Sequence, residues 1–111
     1  MPLLSVSTSI EIYEKQLFLK NCSRLISKLT NKPEQYVMVR LLDQTPMYFN
    51  MDQSPSCFID LKSIGYLNLA EISTEITTFI SNEIGIPSNR VYICFEDIKA
   101  SNWSWNGKTF G

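Results

Sequence analysis

Three short segments carry groups from which proton chemistry could be assembled: Met1-Pro2, Lys32-Pro33 and Ser63-Ile64-Gly65. An initiator methionine is normally removed when a small residue follows it, and removal here would leave Pro2 as a secondary amine. An amine serves as a base when an apolar setting or a neighbouring cation brings its pKa toward neutrality. Lys32 is a cation that could do this. Taken alone, it reads as a charge complementing the C-terminal dipole of a helix. The backbone N–H groups of Ser63-Ile64-Gly65, at a strand exit, could hold a carboxylate; taken alone, they read as an ordinary strand end. A Met-Pro start is, by itself, equally commonplace.

Most other chemistries are excluded. The 111 residues contain no histidine, which removes histidine triads, imidazole bases and most zinc sites. There is no phosphate-binding glycine loop, dinucleotide fingerprint, nucleophile elbow or Cys-x-x-Cys pair. Glu96 and Asp97 are adjacent, so on a strand they face opposite sides and make no glycosidase pair. Cys22, Cys57 and Cys94 are odd in number and widely spaced, which fits a reduced chain rather than a disulfide framework or metal knuckle. All three are expected to be buried: Cys22 on an apolar helix face, Cys57 and Cys94 in strands. A net charge of −1 gives no broad basic field, so neither nucleic acid nor a membrane surface is an expected partner. No stretch approaches the roughly 20 apolar residues of a membrane span. The first residues lack the basic segment of a secretory leader, so a cytoplasmic location is expected.

The elements that must position the three segments follow from periodicity. A composition of 44% hydrophobic and 19% charged residues is that of an ordinary globular chain, and the length suits one domain, residues 1–111. Leu3 to Thr8 reads as a strand. Residues 11–31 change to helical period, with Phe18, Cys22, Leu25, Ile26 and Leu29 on one face, and Asn31-Lys32-Pro33 ends the helix. Tyr36 to Leu42 reads as a second strand, followed by a turn-rich stretch with a short edge strand at Met47–Asn50. Cys57 to Ile64 alternates as a strand, Leu69 to Glu83 has helical period, and Arg90 to Phe95 is the next strand. The tail, residues 98–111, is too aromatic to be left solvated, with Trp103, Trp105 and Phe110.

The second half repeats the first. Pro33-Glu34-Gln35-Tyr36-Val37-Met38-Val39 aligns with Pro87-Ser88-Asn89-Arg90-Val91-Tyr92-Ile93, each after an amphipathic helix. The fold class is therefore α/β, with two β-α-β units in tandem. The right-handed crossover rule puts both helices on one face of a mixed sheet. The opposite face is left uncovered, which predicts self-association.

Together these segments resemble the macrophage migration inhibitory factor family. The resemblance rests on Met1-Pro2, Lys32-Pro33-x-Gln35-Tyr36, Ser63-Ile64-Gly65, Pro87-x-x-Arg90-Val91-Tyr92-Ile93 and Asn102-x-x-Trp105-Asn106-x-x-Thr109-Phe110, in order along the chain. It implies a tautomerase-type two-layer α/β sandwich assembled as a homotrimer. It also implies keto–enol tautomerisation of aromatic α-keto acids such as phenylpyruvate, and isomerisation of dopachrome-like compounds, without metal or organic cofactor. Pro2 would be the catalytic base. Lys32 would pair with the substrate's carboxylate or carbonyl oxygen and hold down the proton affinity of Pro2, and the Ile64 N–H would add a second contact. Tyr92 from a neighbouring subunit and Phe110 would flank the ring, with Tyr36 and Trp103 at the rim. The alternative that the family suggests is a cytokine-like protein-binding module keeping an inherited pocket. Family members also leave cells without a signal peptide.

Three positions depart from the family pattern. Cys94, among the substrate-contacting positions, replaces the usual Asn and is a poor hydrogen-bond donor, which predicts an altered substrate preference. Ser56-Cys57-Phe58-Ile59 stands where vertebrate members carry a redox Cys-x-x-Cys, so thiol-oxidoreductase chemistry is not expected. Trp103 replaces a smaller residue and would narrow the pocket mouth.

Overall fold

The computed structural model describes residues 1–65 and 67–111. Strand β1 (Leu3–Thr8) leads to helix α1 (Lys15–Thr30) and strand β2 (Met38–Leu42); strand β3 (Cys57–Ser63) leads to helix α2 (Leu69–Ile84) and strand β4 (Val91–Asp97). The sheet order is β2-β1-β3-β4, parallel within each unit and antiparallel where β1 meets β3. This is the expected tandem β-α-β architecture. Both helices pack on one face, where Leu4 and Val6 of β1 and Ile59 and Leu61 of β3 meet Phe18, Cys22 and Ile26 of α1 and Ile72, Ile76 and Ile80 of α2. Each such side chain contributes about 1.5–3 kcal/mol by burial, so this layer dominates stability.

The repeated Pro-x-x-x-Val pattern has a physical basis. In each unit the proline, at φ −57°, opens a single 3₁₀ turn, Glu34–Tyr36 or Ser88–Arg90. The N–H of Tyr36 donates to the Pro33 carbonyl at 3.0 Å, and that of Arg90 donates to Pro87 at 2.9 Å. Val37 and Val91 then return to extended backbone. The strands expected from Tyr36 and Arg90 therefore begin later, at Met38 and Val91, because the fixed proline φ favours a turn first.

Two further readings are corrected. No edge strand forms at Met47–Asn50; a single bridge joins Phe49 to Asp52 across Asn50 and Met51, both at positive φ. The tail also holds a hairpin, β5 (Ser104–Trp105) and β6 (Lys108–Thr109), which the aromatic reading did not anticipate. Its turn is Asn106-Gly107 at φ 52° and 80°, the dipeptide best suited to a tight hairpin whose two central residues need positive φ.

The sheet face away from the helices carries three transverse rows. In strand order β2, β1, β3, β4 they read Leu42, Ser7, Phe58, Tyr92; Arg40, Ser5, Asp60, Cys94; and Met38, Leu3, Lys62, Glu96. Met38 and Tyr92 are 65% and 59% exposed. The uncovered face expected from counting helices is present.

Candidate active site

Pro2 stands at the head of β1, fully buried. Its carbonyl accepts the Met38 N–H at 3.0 Å, tying the chain start to the start of β2. With Met1 attached, the Pro2 nitrogen is an amide, and the terminal amine belongs to Met1. That amine's pKa is lowered, first by burial and then by the charge of Lys32. A lowered amine pKa means a larger fraction of free base near neutrality.

Lys32 is set by the end of α1. Asn31 closes the helix in the left-handed region at φ 55°. The Lys32 N–H donates to the Ser27 carbonyl at 3.2 Å, and the Lys32 carbonyl accepts from Ser27 Oγ. The root of this side chain is thus fixed by the helix. Proline follows, and its turn delivers Tyr36 beside Trp105, with ring centroids 6.1 Å apart and planes at 89°. This edge-to-face arrangement suits the ring quadrupoles.

A cavity of about 520 Å³ opens beside Pro2. Tyr36, Trp103, Trp105 and Phe110 supply aromatic walls, and Met38 and Lys62 line it from the open sheet face. Its size is in the usual range for small-molecule sites. The wall is held by backbone: the Phe110 N–H donates to the Trp103 carbonyl at 3.0 Å. Pro2, Tyr36, Trp103 and Phe110 therefore line one cavity; Lys32 does not line it, and its charge is the second cause, after burial, of the lowered pKa of the terminal amine.

The other expected residues lie elsewhere in the single chain. Ile64 follows the end of β3 and does not line the cavity. One neighbouring donor is already committed, since the Gly65 N–H donates to the Asp97 carboxylate at 3.1 Å. Tyr92 pairs in register with Phe58, which pairs with Ser7, so it sits across the sheet and at the end of β1 remote from Pro2. It packs on Phe49 at 4.8 Å between centroids. Cys94 is exposed on the open face, contrary to the expected burial, because its strand position points away from the helices. Cys22 and Cys57 are buried as expected, and burial is the main cause that pushes both thiols up to about 12. They are core residues without thiolate chemistry at neutral pH.

Among the cavity residues that were not foreseen, Trp105 and Lys62 carry the largest aromatic and the charged side chain. Trp105 was signalled by the aromatic tail but had no assigned wall. Lys62 becomes visible only through register, as the residue directly opposite Leu3. Among the described residues no cluster of three metal-ligating side chains occurs.

The buried cation among the described residues is structural. Arg90 is 8% exposed and donates through Nε to the Pro55 carbonyl at 2.9 Å. Its terminal nitrogen reaches the Phe49 and Ser54 carbonyls at 3.1 and 3.0 Å, Ser56 Oγ at 2.8 Å and the Asp52 carboxylate at 2.9 Å. It also lies over the Phe49 ring, 5.2 Å from the centroid. One guanidinium thus fastens the loop before β3 to the start of β4.

Comparison with known proteins agrees with this architecture along its whole length. The family model described as macrophage migration inhibitory factor matches residues 1–111. A macrophage migration inhibitory factor homolog from Brugia malayi is 34% identical, with 100% of each chain covered. The crystal structure of a homologue from Prochlorococcus marinus superposes with a TM-score of 0.93 at 37% identity, covering 98% of this chain and 99% of that one. The structure from Trichinella spiralis gives 0.88 at 28% identity, covering 97% and 99%. With fold, cavity and full-length similarity in agreement, the chain belongs to the macrophage migration inhibitory factor family.

Proposed function

We propose that the chain is an isomerase that interconverts the keto and enol forms of aromatic α-keto acids of the phenylpyruvate type, with Pro2 as base once Met1 is removed. The observation that carries this reading is a chain terminus set beside an aromatic-walled cavity, its amine lowered in pKa by burial and by Lys32. The Pro2 amine takes a proton from the carbon next to the ketone, the electron pair moves to the carbonyl oxygen, and protonation of that oxygen gives the enol. Lys32 opposes protonation of the resting amine and attracts the anionic substrate and its enolate. A contact from the Ile64 N–H would require the substrate carboxylate to extend beyond the cavity of the single chain, which Ile64 does not line. Substrate and product are isomers, so the proton shift consumes no co-reactant. Dopachrome-like compounds fit the same scheme as alternative substrates.

In this reading the working unit is a homotrimer. The uncovered sheet face, with Met38, Leu42 and Tyr92 exposed, supports it. Tyr92 and Cys94 would reach the cavity from a neighbouring copy, with Cys94 weakening recognition of hydroxylated rings. The protein would work in the cytoplasm, with export by a route that needs no leader as a further expectation.

Phenylpyruvate enolisation, followed by enol absorbance, is the direct test. The processed protein should turn over, and Pro2→Gly and a Met1-retained form should fall by at least about 100-fold. An unchanged rate in Pro2→Gly overturns the base assignment. A second reading, a cytokine-like protein-binding module with an inherited pocket, is favoured by the loss of the family Asn at Cys94. It gains if the folded, processed protein binds a protein partner saturably and turns over no α-keto acid.

A further inference from the structure

A cavity of about 630 Å³ opens at the helix layer, where α1 begins and α2 ends. It shares no lining residue with the cavity beside Pro2 and none with the three rows of the open sheet face. Association through that face therefore does not use these residues. Its floor is Ile12 and Phe18, 6% and 3% exposed, and its lip carries Tyr13 and Leu17, at 85% and 50%. Exposed apolar side chains gathered at a groove mark a contact surface.

The charge at this groove is of one sign. Glu11, Glu14 and Glu83 line it, and no lysine or arginine does. Glu11 accepts from Gln44 Nε2 and Glu83 from Asn21 Nδ2, each at 3.0 Å, so neutral amides steady both carboxylates. Among the described residues the ion pairs are Lys15–Asp43 and Arg90–Asp52, and neither involves the three glutamates. Lys15 follows Glu14 in sequence but reaches Asp43 at 3.2 Å and the Ile12 carbonyl at 2.7 Å. Glu83 also sits in the last turn of α2, which holds no basic residue. A negative charge there opposes the helix dipole, and an incoming cation relieves it. We infer that the groove seats a basic peptide segment of another protein, with an apolar side chain against Ile12 and Phe18 and Lys or Arg side chains against the three carboxylates. A small organic cation would leave Tyr13 and Leu17 uncovered at the lip, whereas a peptide lying along the groove covers them.

The probe is a labelled amphipathic helical peptide of leucine and lysine, read by fluorescence anisotropy, with a leucine–glutamate peptide as its counterpart. The wild type should bind the lysine peptide at least about tenfold tighter than the glutamate peptide, and added salt should weaken it. Leu17→Ser and Glu14→Gln should each weaken binding about three- to tenfold. Leu17 is half-exposed, so Leu17→Ser should keep the circular dichroism of the wild type. Glu75→Gln changes an exposed carboxylate of α2 outside the groove and should leave binding as it was. Bound peptide should slow amide exchange at residues 10–18 and 83–85. Equal binding of the two peptides, binding of neither, or an equal loss in Glu75→Gln overturns the proposal. So does full binding in a folded Leu17→Ser, or binding of phenethylammonium without the peptide.

Discussion

The charge of Lys32 lowers the pKa of the terminal amine, second to burial, and the sign of its effect follows from electrostatics. A cation beside an amine destabilises the ammonium form and leaves the free base unaffected. Removing that cation in Lys32→Met should raise the amine pKa, so the acid limb of the kcat/KM profile should move to higher pH, with weaker substrate binding besides. A pH–rate profile of phenylpyruvate enolisation checks this; a limb that stays in place assigns Lys32 to binding only. At this scale much of the site was legible in the sequence. Pro2, Tyr36, Trp103 and Phe110 are brought to one cavity, because each sits in a segment whose local chemistry fixes its place. Lys62 was not legible, since nothing in Asp60-Leu61-Lys62-Ser63 says that Leu3 will lie opposite. Cys94 was misjudged for a related reason: strand residues alternate in facing, and its own strand does not say which face will be covered.

The elements are joined by a few polar anchors whose loss should be felt across loops. Arg90, itself buried, donates to three backbone carbonyls, those of Phe49, Ser54 and Pro55. Arg90→Met should cost about 1.5–3 kcal/mol in chemical denaturation, the range for hydrogen bonds to a charged group. Arg90→Lys should recover only part, because a lysine lacks the planar fork that reaches several oxygens at once. Sequence reading was strongest here for both helices, where apolar spacing and stop signals agree, and Asn31 and Gly85 end them in left-handed backbone. It was weakest in the loop between β2 and β3. There Arg90, distant in sequence, holds the chain, and no local pattern announces a long-range clamp.

At the scale of the whole molecule, one layer of helices covers one face of a four-stranded sheet, and the other face remains open. That face combines Leu42, Phe58 and Tyr92 at one end with Arg40, Asp60, Lys62 and Glu96 further along. Apolar contact would drive association, and charges of both signs would set the register between copies. Leu42→Asp lies outside the helix-packed core, so the variant should stay folded by circular dichroism and sediment as a smaller species than the wild type. Identical sedimentation of the two proteins would count against this face as the contact surface. The uncovered face was legible from arithmetic alone, because two helices cannot cover two faces. The three-row pattern was not, since it depends on the antiparallel join of β1 and β3.

That join also bears on how the chain matures during synthesis. β1 is an inner strand made first, yet Leu3 pairs with Met38 and Lys62. Until those residues leave the ribosome, the first strand has nothing to pair with. At about 5–20 residues per second, that leaves several seconds in which an aminopeptidase can reach Met1. Afterwards Pro2 is buried and its carbonyl is bonded to β2. The fold thus makes the Met1–Pro2 bond harder to reach later, since Pro2 is buried although Met1 itself stays partly exposed. Active and inert copies of one sequence could then differ only in the timing of a single cleavage on the nascent chain.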